Sequence, residues 1–298
     1  MLLTIHTATY NRAHTLLRAY ESLLAQTRKD FLWLITDDGS TDGTAELVRA
    51  WQSRDNGFPI VYNPLPHGGI PRALNAGVSR CATEWFMMLD SDDWLKPKAV
   101  EYILERLPQV ADREDFVGIA FGKCRPDGSW MGGREPDFHP ERGFVDAPNT
   151  RRRDFGLDQD MCEVHRTALL RAYPFPCWPT ERYAPEQLGY NAIALAGYRF
   201  RWFPEKLCVC DYLPDGQTRN SRIVRENPMG FAMMYNQNIL LAKSFREKCR
   251  HAMQMTALAL CGGQPGYLTR TNSPAATALT LPLGMGLAVR RWMQFRRL

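Results

Sequence analysis

Residues 85 to 89 read WFMML, an unbroken apolar run that halts on Asp90, Ser91, Asp92 and Asp93. A run of strand length with no polar alternation suits a strand buried on both faces, which is the situation of a parallel sheet covered by helices. The preceding residues carry the same rhythm. "LLTIHTAT", "FLWLITD" and "PIVYN" are further strand-length segments, and Leu16, Leu17, Tyr20, Leu23 and Leu24 recur between the first two at helical spacing. "DDGSTDGT" is a turn whose Ser40, Thr41 and Asp42 are candidate caps for a helix through Trp51, and "GGIPRALNAGVSRC" supplies another helix. The expected class is α/β, a mostly parallel central sheet flanked by helices.

Beyond residue 110 the signals loosen. "DFVGIAFG" and "SWMGG" suggest a hairpin or an added strand, "NTRRRDFGLDQD" is a basic loop, and "YRFRWFPEKLCVCDYL" reads as a strand pair closing the core. Residues 228 to 262 read as helix. Residues 241 to 298 hold nine Lys/Arg and one acidic residue, so of the formal charge of +5 the first 240 residues contribute −3. The uncharged stretch Ala275 to Val289 is shorter than the roughly 20 residues that span a bilayer, and "VRRWMQFRRL" after it mixes arginines with Trp292 and Phe295 as an anionic membrane surface would favour. Packing on the rest of the protein is the other reading of this region.

The eight cysteines form no CxxC pair and the six histidines no HxH or HExxH, so neither a zinc site nor a disulfide framework is expected. Reduced thiols and the absence of a signal-like start at Met1 to Tyr10 predict a cytoplasmic protein.

Asp90 and Asp92 lie two residues apart at a strand's C-terminal end, so both can reach one point, and open parallel sheets bind ligands at that edge. Two carboxylates there suit a hard divalent cation, Mg2+ or Mn2+, able to neutralise a departing diphosphate. Taken alone, Asp90 to Asp93 read first as turn formers and caps ahead of Pro97. Asp37 and Asp38, at the end of the second strand, share the edge, and a carboxylate there can accept the N3–H of uracil.

"TATYNR", "TDDGSTDGT", "GGIPRALNAG" and "MMLDSDDWL", in this order and spacing, resemble the family 2 glycosyltransferases of bacterial polysaccharide synthesis. The likeness is strong over roughly residues 3 to 110 and weaker at "APEQLGYNAIA" and "DYLPDGQT". It implies a GT-A (Rossmann-like) fold with a C-terminal helical extension: a catalytic domain over 1–225, with 1–110 the nucleotide-binding half and 111–225 the acceptor half, then a helical, basic region over 226–298. It places Thr9, Tyr10 and Arg12 along the nucleotide, Asp38 on uracil, Arg72 by the diphosphate or ribose, Asp90 near the ribose and Asp92 on the metal. Many relatives read ARNxG where this chain has "PRALNAG", which loosens the placement of Arg72.

An inverting transfer needs a general base for the acceptor hydroxyl. The resemblance points to Glu186 in "RYAPEQLGY", followed by Gln187 where relatives usually have Asp or Asn, with Glu181 as runner-up. Read without the family, Glu186 is a charge at a helix N-terminus. Asp160 and Trp178 are candidates for the sugar site, Asp211 for an extra metal ligand or a strand-end charge, and Arg219 with Arg222 for a lid over the diphosphate. Arg151 to Arg153 suit a lipid diphosphate or a solvated loop.

The implied activity is metal-dependent, inverting transfer of a sugar from a UDP-sugar to a lipid-linked (polyprenyl diphosphate) oligosaccharide, in capsule, O-antigen or exopolysaccharide synthesis. The expected partners are that donor and acceptor and the inner membrane surface, where the enzyme would lie peripherally, and no nucleic acid. One rival is a sugar nucleotidyltransferase, but "TATYNRAH" lacks the glycines of its phosphate loop. Another is a carbohydrate-binding protein on a degenerate transferase fold, against which the intact Asp38, Asp90, Asp92 and Glu186 argue.

Overall fold

The computed structural model describes residues 2–132, 135–138, 141–157, 159–211 and 222–296. The chain divides into two compact units, one of Met1–Gly68, Arg72–Pro174 and Tyr190–Leu213, the other of Gly69–Pro71, Phe175–Gly189 and Pro214–Leu298.

In the first unit, strands β1 (Leu3–Thr9), β2 (Phe31–Asp37), β3 (Ile60–Pro64) and β4 (Trp85–Met88) alternate with helices α1 (Ala13–Leu24), α2 (Thr44–Gln52) and α3 (Ile70–Arg80). β1 pairs in parallel with β2, Leu3 opposite Phe31 through Thr9 opposite Asp37, and on its other side with β4. β3 extends the parallel ladder from β2. β1 and β2 are buried nearly throughout, as strands inside a covered parallel sheet are, whereas β3 at the edge is only half-buried. Leu16, Ala19, Tyr20 and Leu23 of α1 pack inward at helical spacing, and the rings of Tyr20, Trp33 and Trp51 stack to join α1, β2 and α2. Trp33, Phe31, Leu16 and Leu23 are fully buried, each worth roughly 1.5–3 kcal/mol of apolar transfer.

The sheet continues through β5 (Trp94–Leu95), β6 (Phe116–Cys124), β7 (Val145–Ala147), β8 (Met161–Arg166) and β9 (Arg199–Val209). Its order is β3-β2-β1-β4-β8-β6-β9-β5, with β7 also on β9. β8 runs antiparallel to both β4 and β6, while β9 is parallel to β6. The C-terminal ends of β1, β2, β4, β6 and β9 therefore share one edge with the start of β8. That edge gathers residues 9–12, 37–38, 90–93, 123, 160 and 211, which are scattered along the chain.

β9 is one strand where the sequence reads as a strand pair. Pro204, which looks like a break, falls where the ladder to β6 is irregular: Ala120 pairs with Trp202, but Gly122 pairs with Lys206. A bulge takes up a proline that a regular ladder would reject.

The second unit is helical, with α9 (Pro228–Leu241), α10 (Phe245–Cys261) and α11 (Pro274–Phe295), numbered after α4 (Ala99–Arg106), α5 (Pro108–Ala111), α6 (Thr167–Ala172), α7 (Gln187–Leu195) and α8 (Ile223–Glu226). The stretch over 228–262 that reads as helix is helical, in two helices. Ser244 is in extended backbone and its hydroxyl accepts the Glu247 N–H at 3.2 Å, while Glu247 Oε2 accepts the Lys243 N–H at 2.7 Å. The sequence S-F-R-E is thus a helix start that interrupts the apolar periodicity. Met229, Ala232, Ile239, Ala252, Met255, Leu258 and Ala276 form this unit's core. α11 buries Ala276, Thr280, Gly284 and Ala288 at four-residue spacing, and a Cβ at Gly284 would lie 2.7 Å from the Thr256 side chain. Its other side leaves Leu279, Leu283, Met285, Val289, Trp292 and Met293 exposed. Among the described residues no helix is long and apolar enough to cross a membrane.

Candidate active site

The end of β1 and the turn after β2 are tied together. The Asp38 N–H donates to the Thr9 carbonyl at 2.8 Å, the Asn11 N–H to Ser40 Oγ at 2.8 Å, and the Thr41 N–H to Asn11 Oδ1 at 2.8 Å. Asp42 Oδ2 accepts the Ala13 N–H at the start of α1 at 3.0 Å. Among the described residues, Thr9 Oγ1 is buried without a hydrogen-bond partner.

Asp37 and Asp38 have different work. Asp37 accepts the Ser40 N–H at 2.8 Å and the Tyr62 hydroxyl; burial and then this bond push the Tyr62 phenol well up. It is a structural carboxylate that fastens β3 and the turn. Asp38 Oδ1 accepts the Gly68 N–H at 2.8 Å, and Oδ2 lies 2.8 Å from His67 Nδ1. The His67 ring stacks on Tyr10 with centroids 4.0 Å apart and planes 11° from parallel. Gly39 permits this approach: its φ is +82°, and a Cβ there would lie 2.9 Å from the His67 nitrogen. Arg72 donates to the Gly68 carbonyl, so Asp38 and Arg72 meet through one short loop.

The acidic turn follows β4. The Leu89 N–H continues the ladder to the His6 carbonyl at 2.9 Å, and the Asp93 N–H closes the turn on the Asp90 carbonyl at 3.1 Å. Asp93 is buried and cannot meet a ligand: Lys123 Nζ lies 2.7 Å from its Oδ2, and the Cys208 thiol donates to the same oxygen at 3.6 Å. The Asp90 side chain is 60% exposed and lies 3.0 Å from the same ammonium. Burial alone would lower the Lys123 pKa, but Asp90 and Asp93 outweigh it and hold the ammonium well above its usual range.

The Asp92 carboxylate makes no ion pair among the described residues and feels Arg12 and Lys123 only at longer range. Burial first, and then the negative charge of Asp90, push its carboxyl above the usual range, with Arg12 and Lys123 opposing. A partly buried carboxylate outside any ion pair, with hard oxygen donors, fits Mg2+ or Mn2+. Among the described residues no three His, Cys, Asp or Glu side chains gather as a metal cage. Arg18 donates to the Asp92 carbonyl at 3.1 Å, lies 3.7 Å from Asp211 Oδ2, and rests over the Trp94 ring at 4.8 Å. Asp211 is accordingly an ion-pair partner at the edge.

Asp160 is exposed at the start of β8 and adds negative charge near Glu163, which lies 3.5 Å from Arg152. Burial pushes the Glu163 carboxyl up to about 7. Lys123, Arg18, His67 and Glu163 are the residues sequence reading missed. The only local sign for Lys123 and Glu163 was a charge inside an apolar strand, in "FVGIAFGKC" and "MCEVHR".

Glu186, Glu181 and Trp178 lie in the second unit. Glu181 is 6% exposed, and its two oxygens accept the N–H groups of Met229 and Gly230, both at 2.7 Å, at the first turn of α9. Trp178 packs edge-on to Tyr267, centroids 5.8 Å apart. Glu186 is half-buried at the start of α7; burial, then its charge, push the Tyr183 phenol up to about 12. Arg222 is exposed before α8, and Arg219 lies outside the described residues.

A mostly parallel sheet whose C-terminal edge carries Asp38 beside a stacked aromatic pair, with an acidic turn next to it, has the layout of a GT-A glycosyltransferase. Comparison with known proteins agrees. The family model described as Glycosyl transferase family 2 matches residues 4–175, and the chain belongs to that family, a family of transferase enzymes. It is similar to glycosyltransferase GlyG of Streptococcus pneumoniae, 28% identical over 43% of this chain and 42% of that protein. It is also similar to chondroitin synthase of Pasteurella multocida, 38% identical over 47% of this chain and 14% of that one. The chain thus matches less than half the length of either relative. Among solved structures, S. aureus TarS 1–349 in complex with UDP-GlcNAc superposes with a TM-score of 0.60 at 17% identity, covering 96% of this chain and 79% of that one, which shows the fold.

Proposed function

We propose that this protein is an inverting, metal-dependent glycosyltransferase that moves a sugar from a UDP-sugar to a lipid-linked oligosaccharide during bacterial surface polysaccharide synthesis. The observation that carries the reading is the pairing, on one sheet edge, of a base-sized platform at Tyr10 and Asp38 with an under-neutralised Asp92. UDP donors are favoured by Asp38, whose carboxylate can accept the N3–H of uracil, a hydrogen that cytosine N3 does not carry. The UDP-GlcNAc-bound neighbour is in keeping with this choice.

In this reading Tyr10 stacks on the base, Asp38 accepts its N3–H, Asp90 reaches the ribose, and Arg12 and Arg72 face the diphosphate. Asp92 holds Mg2+ or Mn2+, which supplies charge neutralisation for the departing diphosphate. Glu186 takes the proton from the acceptor hydroxyl. Glu181 is the weaker base because both its oxygens are already spent on the N-terminus of α9. Asp160 and Trp178 approach the sugar, Arg219 belongs to the segment that would cover the diphosphate, and the apolar side of α11 with Arg290 and Arg296 lies on the inner membrane surface.

The test is calorimetric binding of UDP-GlcNAc and other nucleotide sugars with and without Mn2+, followed by single-turnover transfer. Asp92→Asn should remove the metal-dependent part of donor binding. Glu186→Gln should keep donor binding and lower transfer by 100-fold or more, on the order of a lost general base. Donor binding indifferent to both metal and Asp92 would sink the metal role, and normal transfer by Glu186→Gln would move the base elsewhere.

A further inference from the structure

Three carboxylates within one four-residue turn repel one another, and the protein resolves this with a cation of its own. Lys123 reaches the turn from the end of β6. Its ammonium lies 3.0 Å from Asp90 Oδ2 and 2.7 Å from Asp93 Oδ2, with the side chain only 12% exposed. The Cys208 thiol adds a second donor to Asp93 Oδ2 at 3.6 Å. The Asp92 carboxylate takes part in no ion pair among the described residues, and that residue is steadied instead through its backbone carbonyl, by Arg18 at 3.1 Å. The turn thus holds one carboxylate locked in the interior, one tethered at the surface and one left over.

We infer that Lys123 is a positioning residue that divides the labour of this turn: it holds Asp90 and Asp93 on a fixed ammonium and leaves Asp92 as the single carboxylate offered to a divalent cation. This rests on the metal-dependent reading above. The physical basis is that an ammonium is a point charge with three donors, so it can bind two carboxylates at once without exchanging with solvent ions. A divalent cation drawing on Asp90 as well as Asp92 would have to displace the ammonium or lie beside it against Coulomb repulsion. Lys123 therefore keeps the nucleotide-free protein a weak metal site, and the diphosphate must supply the remaining oxygens.

Two outcomes separate this from a purely structural lysine. Mn2+ affinity of the nucleotide-free protein is measured by electron paramagnetic resonance titration, a readout independent of turnover. In Lys123→Met, and in Lys123→Met/Asp93→Asn, where the buried partner is neutralised so that the fold is kept, the affinity should rise about tenfold or more as Asp90 is released. Lys123→Arg should stay near wild type. Unchanged affinity in the folded double variant would overturn the inference. The parent reading is checked separately: if wild type binds no Mn2+ even with UDP, or Asp92→Asn alters nothing, the metal site itself is wrong. If wild type binds Mn2+ with UDP through Asp92 and the double variant does not differ from it, only the role of Lys123 fails.

Discussion

Glu163 offers a test of the sheet edge that needs no substrate. Its side chain is 11% exposed, the nearest cation is Arg152 at 3.5 Å, and burial raises its carboxyl from 4.5 to about 7 despite the opposing Arg152 and Lys123. A folded-state pKa above the unfolded one means that the native protein binds the proton more tightly, so stability is fully present below the unfolded value and declines as pH rises toward the folded value. Integrated from pH 5 to pH 8, the loss from this one group is about 2.5 kcal/mol, against a limiting value of about 3 kcal/mol. Glu163→Gln removes the titration while keeping the shape. The assay is urea unfolding of both proteins at each pH, followed through the tryptophan fluorescence of a core that buries Trp33, Trp85 and Trp202. Taking the difference between wild type and variant cancels the other ionisable groups. The variant should gain about 2.5 kcal/mol relative to wild type between pH 5 and pH 8. A gap that stays constant with pH would mean that Glu163 remains ionised on Arg152 throughout, and the burial argument would be refuted.

Two further outcomes follow from the helical unit. Glu181→Ala leaves two N–H groups of the α9 first turn without acceptors and should cost about 2 kcal/mol in urea unfolding, while Glu181→Gln, which keeps one acceptor oxygen, should cost less. Removing residues 275–298 should abolish cosedimentation with phosphatidylglycerol-containing liposomes at low salt, because that segment carries exposed Leu279, Leu283 and Trp292 beside its arginines; undiminished binding would put the membrane contact elsewhere.

What could be read from the sequence was whatever depends on neighbours along the chain. The apolar run before Asp90 and the helical spacing of Leu16, Tyr20 and Leu23 each specify an element locally, and parallel strands joined by helices must place residues 9–12, 37–38 and 90–93 on one edge. The break at Ser244 was equally local, since S-F-R-E is a capping sequence, and was hidden only by the apolar periodicity on either side.

The partners of the aspartates were not local. Lys123 is 30 residues from Asp93, and Arg18 is 74 residues from Asp92. The approach of Lys123 depends on β8 entering the sheet antiparallel between β4 and β6, which no periodicity encodes. Spacing alone treats Asp90 and Asp92 alike, whereas the Lys123 ammonium lies beside Asp90, and under the proposed metal role that would make the two unequal. The pattern D-S-D-D states which residue types stand at the edge, and in the proposed role a charge from a distant strand would decide which of them is available to bind.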